Sequence, residues 1–232
     1  MNKIDRRKNY YIVLDTETAN SNVDGKVTPD SALVYDCGFA VIDKSGKVYE
    51  QYSFINEDVF FKMDDQMQSA YYAEKIPLYL SDIEDGIREV TNYYTIRKTL
   101  EEVARKYDVK AIIAHNARFD YKAATATQRY LTKSKYRYFF PYGIEIWDSL
   151  KMAHDTICKQ KSFIRFCEDN GYMTKHKTPR PRETAEVIYR YITNNPDFVE
   201  QHTGLEDVYI EKEIVAKCFR QHKPMRTKLF ND

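Results

Sequence analysis

Apolar residues alternate or cluster in the first quarter of the chain in the manner of β-strands. Runs rich in Val, Ile, Tyr and Phe predict strands at residues 10–18 and 33–43, and an alternating run predicts a third strand at residues 48–55. The sequence DKSGK at residues 43–47 is typical of a turn. We therefore expect the second and third strands to form an antiparallel hairpin.

Helical spacing dominates the remainder. In TIRKTLEEVARKY, residues 95–107, the apolar positions recur on one helical face. The segment at residues 56–94 is rich in Tyr, Phe and Met, and it predicts short helices around a loop. The other predicted elements are a buried strand at 111–116, an Ala-rich helix at 119–131, a strand at 144–152, and helices at about 155–170, 182–194 and 204–222.

This order of elements predicts the α/β class, with a mixed sheet flanked by helices. The sequence contains no internal repeat and no low-complexity tract that would indicate a boundary. We therefore expect residues 1–232 to form one domain, with a core at about 8–222 and an aromatic-rich insertion at about 56–94.

Composition excludes some classes of function and leaves others open. Lys and Arg together number 36 against 35 Asp and Glu, a net charge of +1, so the overall balance neither favours nor excludes a nucleic-acid partner. The four cysteines form no C-x-x-C pair, which disfavours a structural zinc site and favours buried, reduced thiols. No window approaches the ~20 apolar residues of a membrane span. We expect a cytoplasmic protein with no membrane partner.

The first candidate chemistry is the sequence DTET, where Asp15 and Glu17 end an apolar run. About one Asp-x-Glu pair is expected by chance in a chain of this length and acidic content, so a solvated strand end explains the motif alone at least as well. Residues two apart in a strand face the same side, however, and two adjacent carboxylates repel unless a proton or a cation lies between them. A hard cation such as Mg²⁺ prefers these oxygen ligands.

Two further sites combine a buried element or helix start with a carboxylate. In AHNARFD, Asn116 is a suitable N-cap, which places Asp120 in the first helical turn, where an Asp also simply complements the helix dipole. In HTGLED, Thr203 and Glu206 match a capping box, with His202 before the cap and Asp207 in the first turn. A dipole-stabilising Asp beside a surface His is the alternative interpretation of HTGLED alone, and it is the less favoured one.

The three motifs DTET, HNARFD and HTGLED, in this order, resemble the three exonuclease motifs of the DnaQ-like DEDD superfamily. The H-x-x-x-x-D form of the third resembles the DEDDh branch, and the chain is similar to proofreading exonuclease subunits and RNase T-like enzymes. The resemblance covers roughly residues 8 to 222, and it implies an RNase H-like fold.

The resemblance also implies a site and an activity. Four acids would bind two Mg²⁺ or Mn²⁺ ions: Asp15, Glu17, Asp120 and Asp207. Asp15 would bridge the ions, Glu17 and Asp207 would lie on the ion that binds the attacking water, and His202 would be the general base. The Thr16 backbone would lie close to the terminal nucleotide. The reaction would be hydrolysis of phosphodiester bonds at the 3′ ends of single-stranded DNA or RNA, with release of nucleoside 5′-monophosphates.

Three alternatives remain open at this stage. Proofreading would imply a polymerase partner, whereas a stand-alone nuclease would need none. The sequence contains no obvious polymerase-binding peptide, which slightly favours the stand-alone nuclease. A non-catalytic nucleic-acid-binding or scaffolding relative would share the fold, although such relatives usually lose one of the acids. An RNase H-like endonuclease or integrase would share the fold and metals, but the H-x-x-x-x-D motif disfavours it.

Weaker signals concern substrate contacts. Residues 132–142 interleave basic and aromatic side chains, and residues 175–182 form a basic, proline-containing segment, so either could guide a phosphate backbone. A helix end leading into core aromatics explains the first segment equally well, and an ordinary solvated loop explains the second better. Asp148 follows an apolar run, and we expect it to accept hydrogen bonds near the site and not to bind metal.

Overall fold

The computed structural model of the chain describes residues 4–22, 28–133, 135 and 137–230, and in these residues a mixed sheet forms the centre. The six strands of these residues lie in the order β4-β3-β2-β1-β5-β6. Their bounds are Tyr10–Asn20 (β1), Ala32–Asp43 (β2), Val48–Asn56 (β3), Glu89–Thr91 (β4), Ala111–Ala114 (β5) and Glu145–Asp148 (β6). β2 pairs antiparallel with both β1 and β3, which confirms the predicted hairpin, while β4, β5 and β6 pair parallel with their neighbours.

Helices cover both faces of this sheet. They are Glu57–Phe60 (α1), Asp64–Gln68 (α2), Ile76–Glu84 (α3), Tyr93–Tyr107 (α4), Arg118–Leu131 (α5), Ser149–Ala153 (α6), Lys161–Asp169 (α7), Ala185–Thr193 (α8) and Gly204–Arg220 (α9). A 3₁₀ turn at Ala73–Lys75 precedes α3, and a π-helical turn at His154–Cys158 follows α6. The predicted α/β class, with a mixed sheet flanked by helices, is therefore confirmed.

Alternation along β1 divides its side chains between two cores. Ile12 and Leu14 pack in one core with residues of α4 and α5, whereas Tyr11 and Val13 pack in the other with residues of α6, α8 and α9. Because residues two apart in a strand share a face, Asp15 and Glu17 continue the row that faces α9.

Some predicted boundaries were wrong. The strand predicted at 144–152 ends at Asp148, because the Asp148 carboxylate accepts a hydrogen bond from the Leu150 N–H at 3.0 Å and caps a new helix. The helix predicted at 155–170 is a π-helical turn followed by α7. The strand predicted at 111–116 ends at Ala114, and the three-residue strand β4 lies within the segment predicted as short helices. The helix predicted at 182–194 begins at Ala185.

The broader properties agree with the sequence in part. All four cysteines are buried and none forms a disulfide: Cys37, Cys158, Cys167 and Cys218. Among the described residues, no helix has both the length and the apolar character that crossing a bilayer requires.

Candidate functional site

The two acids of DTET lie on β1 just beyond Val13, where its pairing with β5 ends and its pairing with β2 continues. Asp15 is opposite Gly38 of β2, and the register of the two strands shifts between Glu17 and Thr18. Gly38 is required here, since a Cβ on it would lie 2.3 Å from the backbone of Gly204. This close approach allows the first turn of α9 to lie directly on the strand pair that carries the acids.

Asp120 reaches the same place from the opposite face of the sheet. Its Oδ1 accepts a hydrogen bond from the Thr16 hydroxyl at 2.8 Å, and the residue is only 4% exposed. The prediction that Asn116 caps this helix was wrong. Asn116 has a φ of 60°, and α5 begins at Arg118 with Ala117 in the cap position and no side-chain cap. Its backbone N–H instead donates to Asp148 Oδ1 at 3.0 Å, so Asp148 is a hydrogen-bond acceptor, as expected.

The third motif begins α9, and Thr203 is the N-cap residue, as predicted. The capping box itself does not form, because the Thr203 hydroxyl donates to Glu206 Oε2 at 2.7 Å and makes no bond to a helix N–H. A buried carboxylate from β2 caps the helix in its place: Asp36 Oδ2 accepts from the Gly204 N–H at 2.8 Å. His202 precedes the cap with a φ of 52°.

This arrangement brings two motifs into ligand distance. A ring nitrogen of His202 and carboxylate oxygens of Glu17 and Asp207 all lie within 4.8 Å of one another. Asp15 Oδ2 and Asp207 Oδ1 are enclosed and have no hydrogen-bond partner among the described residues. Enclosed carboxylate oxygens without partners, beside the group formed by Glu17, His202 and Asp207, fit a hard divalent cation, because buried charges in proteins are paired or coordinate metals.

Sequence reasoning missed one acid. Glu211 lies one helical turn after Asp207 in α9 and is only 3% exposed. Its Oε1 accepts a hydrogen bond from the His115 N–H at 3.1 Å, and its Oε2 has no partner among the described residues. The available signal was the i, i+4 spacing from Asp207, which places two residues on one face of a helix.

The clustered carboxyl groups have raised pKa values, so they bind protons more readily than exposed carboxyl groups do. Burial raises the pKa of Glu17 to about 9, helped by the carboxylates of Asp36 and Asp207. Burial likewise raises the pKa of Asp120 to about 7 and, together with the nearby Glu200 carboxylate, that of Asp207 to about 8.

The same causes act on the two most enclosed acids. Burial and the Asp120 carboxylate raise the pKa values of Asp15 and Glu211 well above their usual range. A cation at this point would replace the protons and compensate the charge.

His202 is held by two residues of the segment at residues 56–94. Its ring stacks on that of Tyr72, with centroids 4.8 Å apart and planes at 14°. The Lys75 ammonium donates to the backbone carbonyls of Gln201 and His202, the latter at 3.1 Å. Burial and the Lys75 charge lower the pKa of His202, so its imidazole is neutral at neutral pH.

The buried guanidinium of Arg88 connects the segment at residues 56–94 to β2 and to α9, the elements on either side of this site. Arg88 contacts Asp36 at 3.3 Å, Asp82 at 2.9 Å and Glu206 at 3.0 Å, and its side chain is 1% exposed. Tyr79 adds a hydrogen bond from its hydroxyl to Asp36 Oδ2 at 2.9 Å. Since Asp36 also caps α9, the positions of His202 and Asp207 depend on these contacts with the segment at residues 56–94.

The first basic segment lines a cavity that the clustered acids do not line. Within 132–142, Ser134 and Tyr136 fall outside the described residues, while Lys135, Arg137 and Phe140 help to line an open cavity of about 860 Å³. None of the clustered acids lines that cavity. Residues 175–182 are mostly exposed.

Comparison with known proteins places the fold. No protein-family model matches the sequence, and no curated protein is significantly similar to it. The chain is similar to a solved 3′-exonuclease that recognises the 3′ end of a histone mRNA stem-loop, with a TM-score of 0.56 and 9% identity over 98% of this chain and 69% of that one.

Two other solved structures are more distant. They are exonuclease I in complex with the inhibitor BCBP (TM-score 0.49, 12% identity, 89% of this chain and 40% of that one) and exonuclease X in complex with 5′-overhanging duplex DNA (TM-score 0.39, 12% identity, 91% and 92%). The similarity to the 3′-exonuclease structure alone shows that the chain has an RNase H-like α/β fold.

Proposed function

We propose that this chain is a metal-dependent 3′→5′ exonuclease that hydrolyses phosphodiester bonds at the 3′ ends of single-stranded DNA or RNA and releases nucleoside 5′-monophosphates. One observation carries the proposal. Carboxylate oxygens of Glu17 and Asp207 lie within 4.8 Å of a ring nitrogen of His202, and the Thr16 hydroxyl holds the Asp120 carboxylate at the same strand. Asp15 Oδ2 and Asp207 Oδ1 are enclosed and have no partner in the part of the chain that the structure describes.

The fold similarity gives independent support, since a 3′-exonuclease shares this architecture at 9% identity.

Four residues would hold two divalent ions, Mg²⁺ or Mn²⁺: Asp15, Glu17, Asp120 and Asp207. When bound, such ions supply Lewis-acid stabilisation of the attacking and leaving oxygens of an in-line displacement. The Thr16 hydroxyl would fix the Asp120 carboxylate through the 2.8 Å hydrogen bond. The Thr16 backbone would contact the terminal nucleotide, as the sequence resemblance implies.

His202 would act as the general base. Its side chain is 40% exposed, beside Glu17 and Asp207, so a water molecule can reach the ring. Its lowered pKa keeps the ring able to accept a proton at neutral pH. Once protonated, the imidazolium would be stabilised by Glu200, whose Oε2 lies 3.8 Å from Nδ1.

The proposal is tested with 5′-labelled linear strands and closed single-stranded circles of DNA and RNA, incubated with Mg²⁺. We expect linear strands to shorten progressively from the 3′ end while circles remain intact, and the ratio of DNA to RNA rates would identify the preferred substrate. Cleavage of circles would favour an endonuclease instead. Binding of strands without any shortening would favour the non-catalytic relative.

A further inference from the structure

The acidic cluster contains one more carboxylate than the four that we propose as metal ligands. Glu211 lies in the middle of α9 at 3% exposure, and no basic side chain bonds its carboxylate among the described residues. A buried carboxylate without a counter-ion costs several kcal/mol unless a cation or a proton compensates it. A neutral residue at this position would avoid that cost, so the acid indicates a compensating charge nearby.

The fold aims this side chain at the cluster. α9 packs on the face of the sheet that carries Tyr11 and Val13, and Asp15 continues that row. Glu211 follows Asp207 by one turn on the same helix face, because residues four apart are neighbours on a helix. The electrostatic neighbours of Glu211 agree, since they include Asp120 and Asp207.

The backbone after β5 fixes one oxygen and leaves the other available. Val13 pairs with Ile113 in the parallel ladder, and two residues further along each chain come Asp15 and His115. The His115 N–H donates to Glu211 Oε1 at 3.1 Å, which orients the carboxylate beside the end of β1. Its Oε2 is then enclosed and, within the described ranges, unpaired, as are Asp15 Oδ2 and Asp207 Oδ1.

We propose that Glu211 is a fifth acidic residue of the metal centre: its Oε1 remains on the His115 N–H, and the negative charge at Oε2 attracts the divalent cations that Asp15 and Asp207 would bind. This inference rests on the proposed function for the presence of the cation. It adds a residue that the three sequence motifs do not contain.

The test is calorimetric titration of Mn²⁺ into the metal-free protein, without nucleic acid. Glu211→Gln keeps the shape and the Oε1 acceptor but removes the charge, and we expect Mn²⁺ affinity to fall by about 10-fold or more, as for other residues that support a metal site. Glu211→Asp keeps the charge but shortens the side chain by one methylene, so its Mn²⁺ affinity should lie between those of the wild type and Glu211→Gln.

Glu213→Gln is the matched control. Glu213 lies on the same helix, pairs with Lys212 at 2.6 Å, and is 36% exposed, so this variant should bind Mn²⁺ as the wild type does. Thermal melts of each metal-free variant check folding. If Glu211→Gln does not fold, Glu211→Asp carries the test alone, and its wild-type Mn²⁺ affinity would overturn the inference.

The outcomes separate this inference from the proposed function. Wild-type Mn²⁺ binding by a folded Glu211→Gln overturns the role of Glu211, even if the protein degrades 3′ ends. Weakened binding in that variant supports the role, even if no nuclease activity is found. A wild-type protein that binds no Mn²⁺ contradicts both.

Discussion

Replacing Asp120 by Asn should make the metal-free protein more stable at alkaline pH and less responsive to metal. The Asp120 carboxylate is 4% exposed, and its burial raises its pKa from 3.8 to about 7. A carboxyl whose pKa is higher in the folded state binds its proton more tightly when folded, so ionisation costs stability. The wild type should therefore lose stability as the pH rises from about 4 to above 7.

The magnitude follows from the shift. An increase of about 3 pKa units corresponds to a ceiling of about 4 kcal/mol at full ionisation. The neighbouring carboxylates respond to the same change, so we expect about half, or about 2 kcal/mol, which raises the melting temperature of a chain of this length by about 4 to 8 °C. The amide oxygen of Asn can still accept the Thr16 hydrogen bond, so little is lost elsewhere.

The assay is thermal unfolding in EDTA and in excess Mg²⁺ across this pH range. In EDTA the variant should melt above the wild type at alkaline pH and together with it near pH 4. In Mg²⁺ the melting temperature of the wild type should rise more than that of the variant, because a ligand that binds the folded state stabilises it by mass action. Asp169→Asn, at an exposed position of α7 paired with Arg165, is the control and should change neither response. A variant that is less stable than the wild type at every pH would refute the electrostatic reasoning.

Three further changes test other parts of the site. His202→Ala should lower turnover by about 10²- to 10⁴-fold, as expected for loss of a general base, while Mn²⁺ affinity changes little; equal losses in single-turnover rate and in calorimetric affinity would contradict that role. Tyr72→Ala should lower turnover and Tyr72→Phe should not, because the stacked ring and not the hydroxyl contacts His202; identical steady-state kinetics for the two would show that stacking is irrelevant. Arg88→Met should destabilise the fold by about 3 to 5 kcal/mol in urea unfolding because it leaves Asp36 buried without its cation, and a change below about 1 kcal/mol would mean that the insertion is held by other contacts.

Local sequence patterns were sufficient to predict the strand that carries Asp15 and the helix that carries Asp207. The apolar run before Asp15 predicted a buried strand, and the cap-like residue Thr203 predicted the start of α9. These signals are local because a strand end or a helix start depends mainly on neighbouring residues. The placement of both motifs at one edge then follows from the packing of an α/β sheet.

The elements that the sequence did not predict depend on distant partners. Asn116 is a good cap by type, yet Asp148 binds its N–H and the helix begins one residue later. Glu211 is one of several acids in α9, and only its packing against the sheet distinguishes it from the exposed ones. The anchoring of the insertion through Arg88 joins residues 52 and 118 positions apart, which no periodicity reveals.

In the proposed function, the acids of β1 hold metal for hydrolysis at a 3′ end. The most direct measurement is mononucleotide release from 3′-labelled single strands by the wild type and by Asp15→Asn, in Mn²⁺ and in EDTA. We expect the wild type to release nucleoside 5′-monophosphate in Mn²⁺ alone, and the folded variant to lose that release. Release that persists in EDTA or in Asp15→Asn would contradict it, as would the absence of release from folded, metal-loaded wild type.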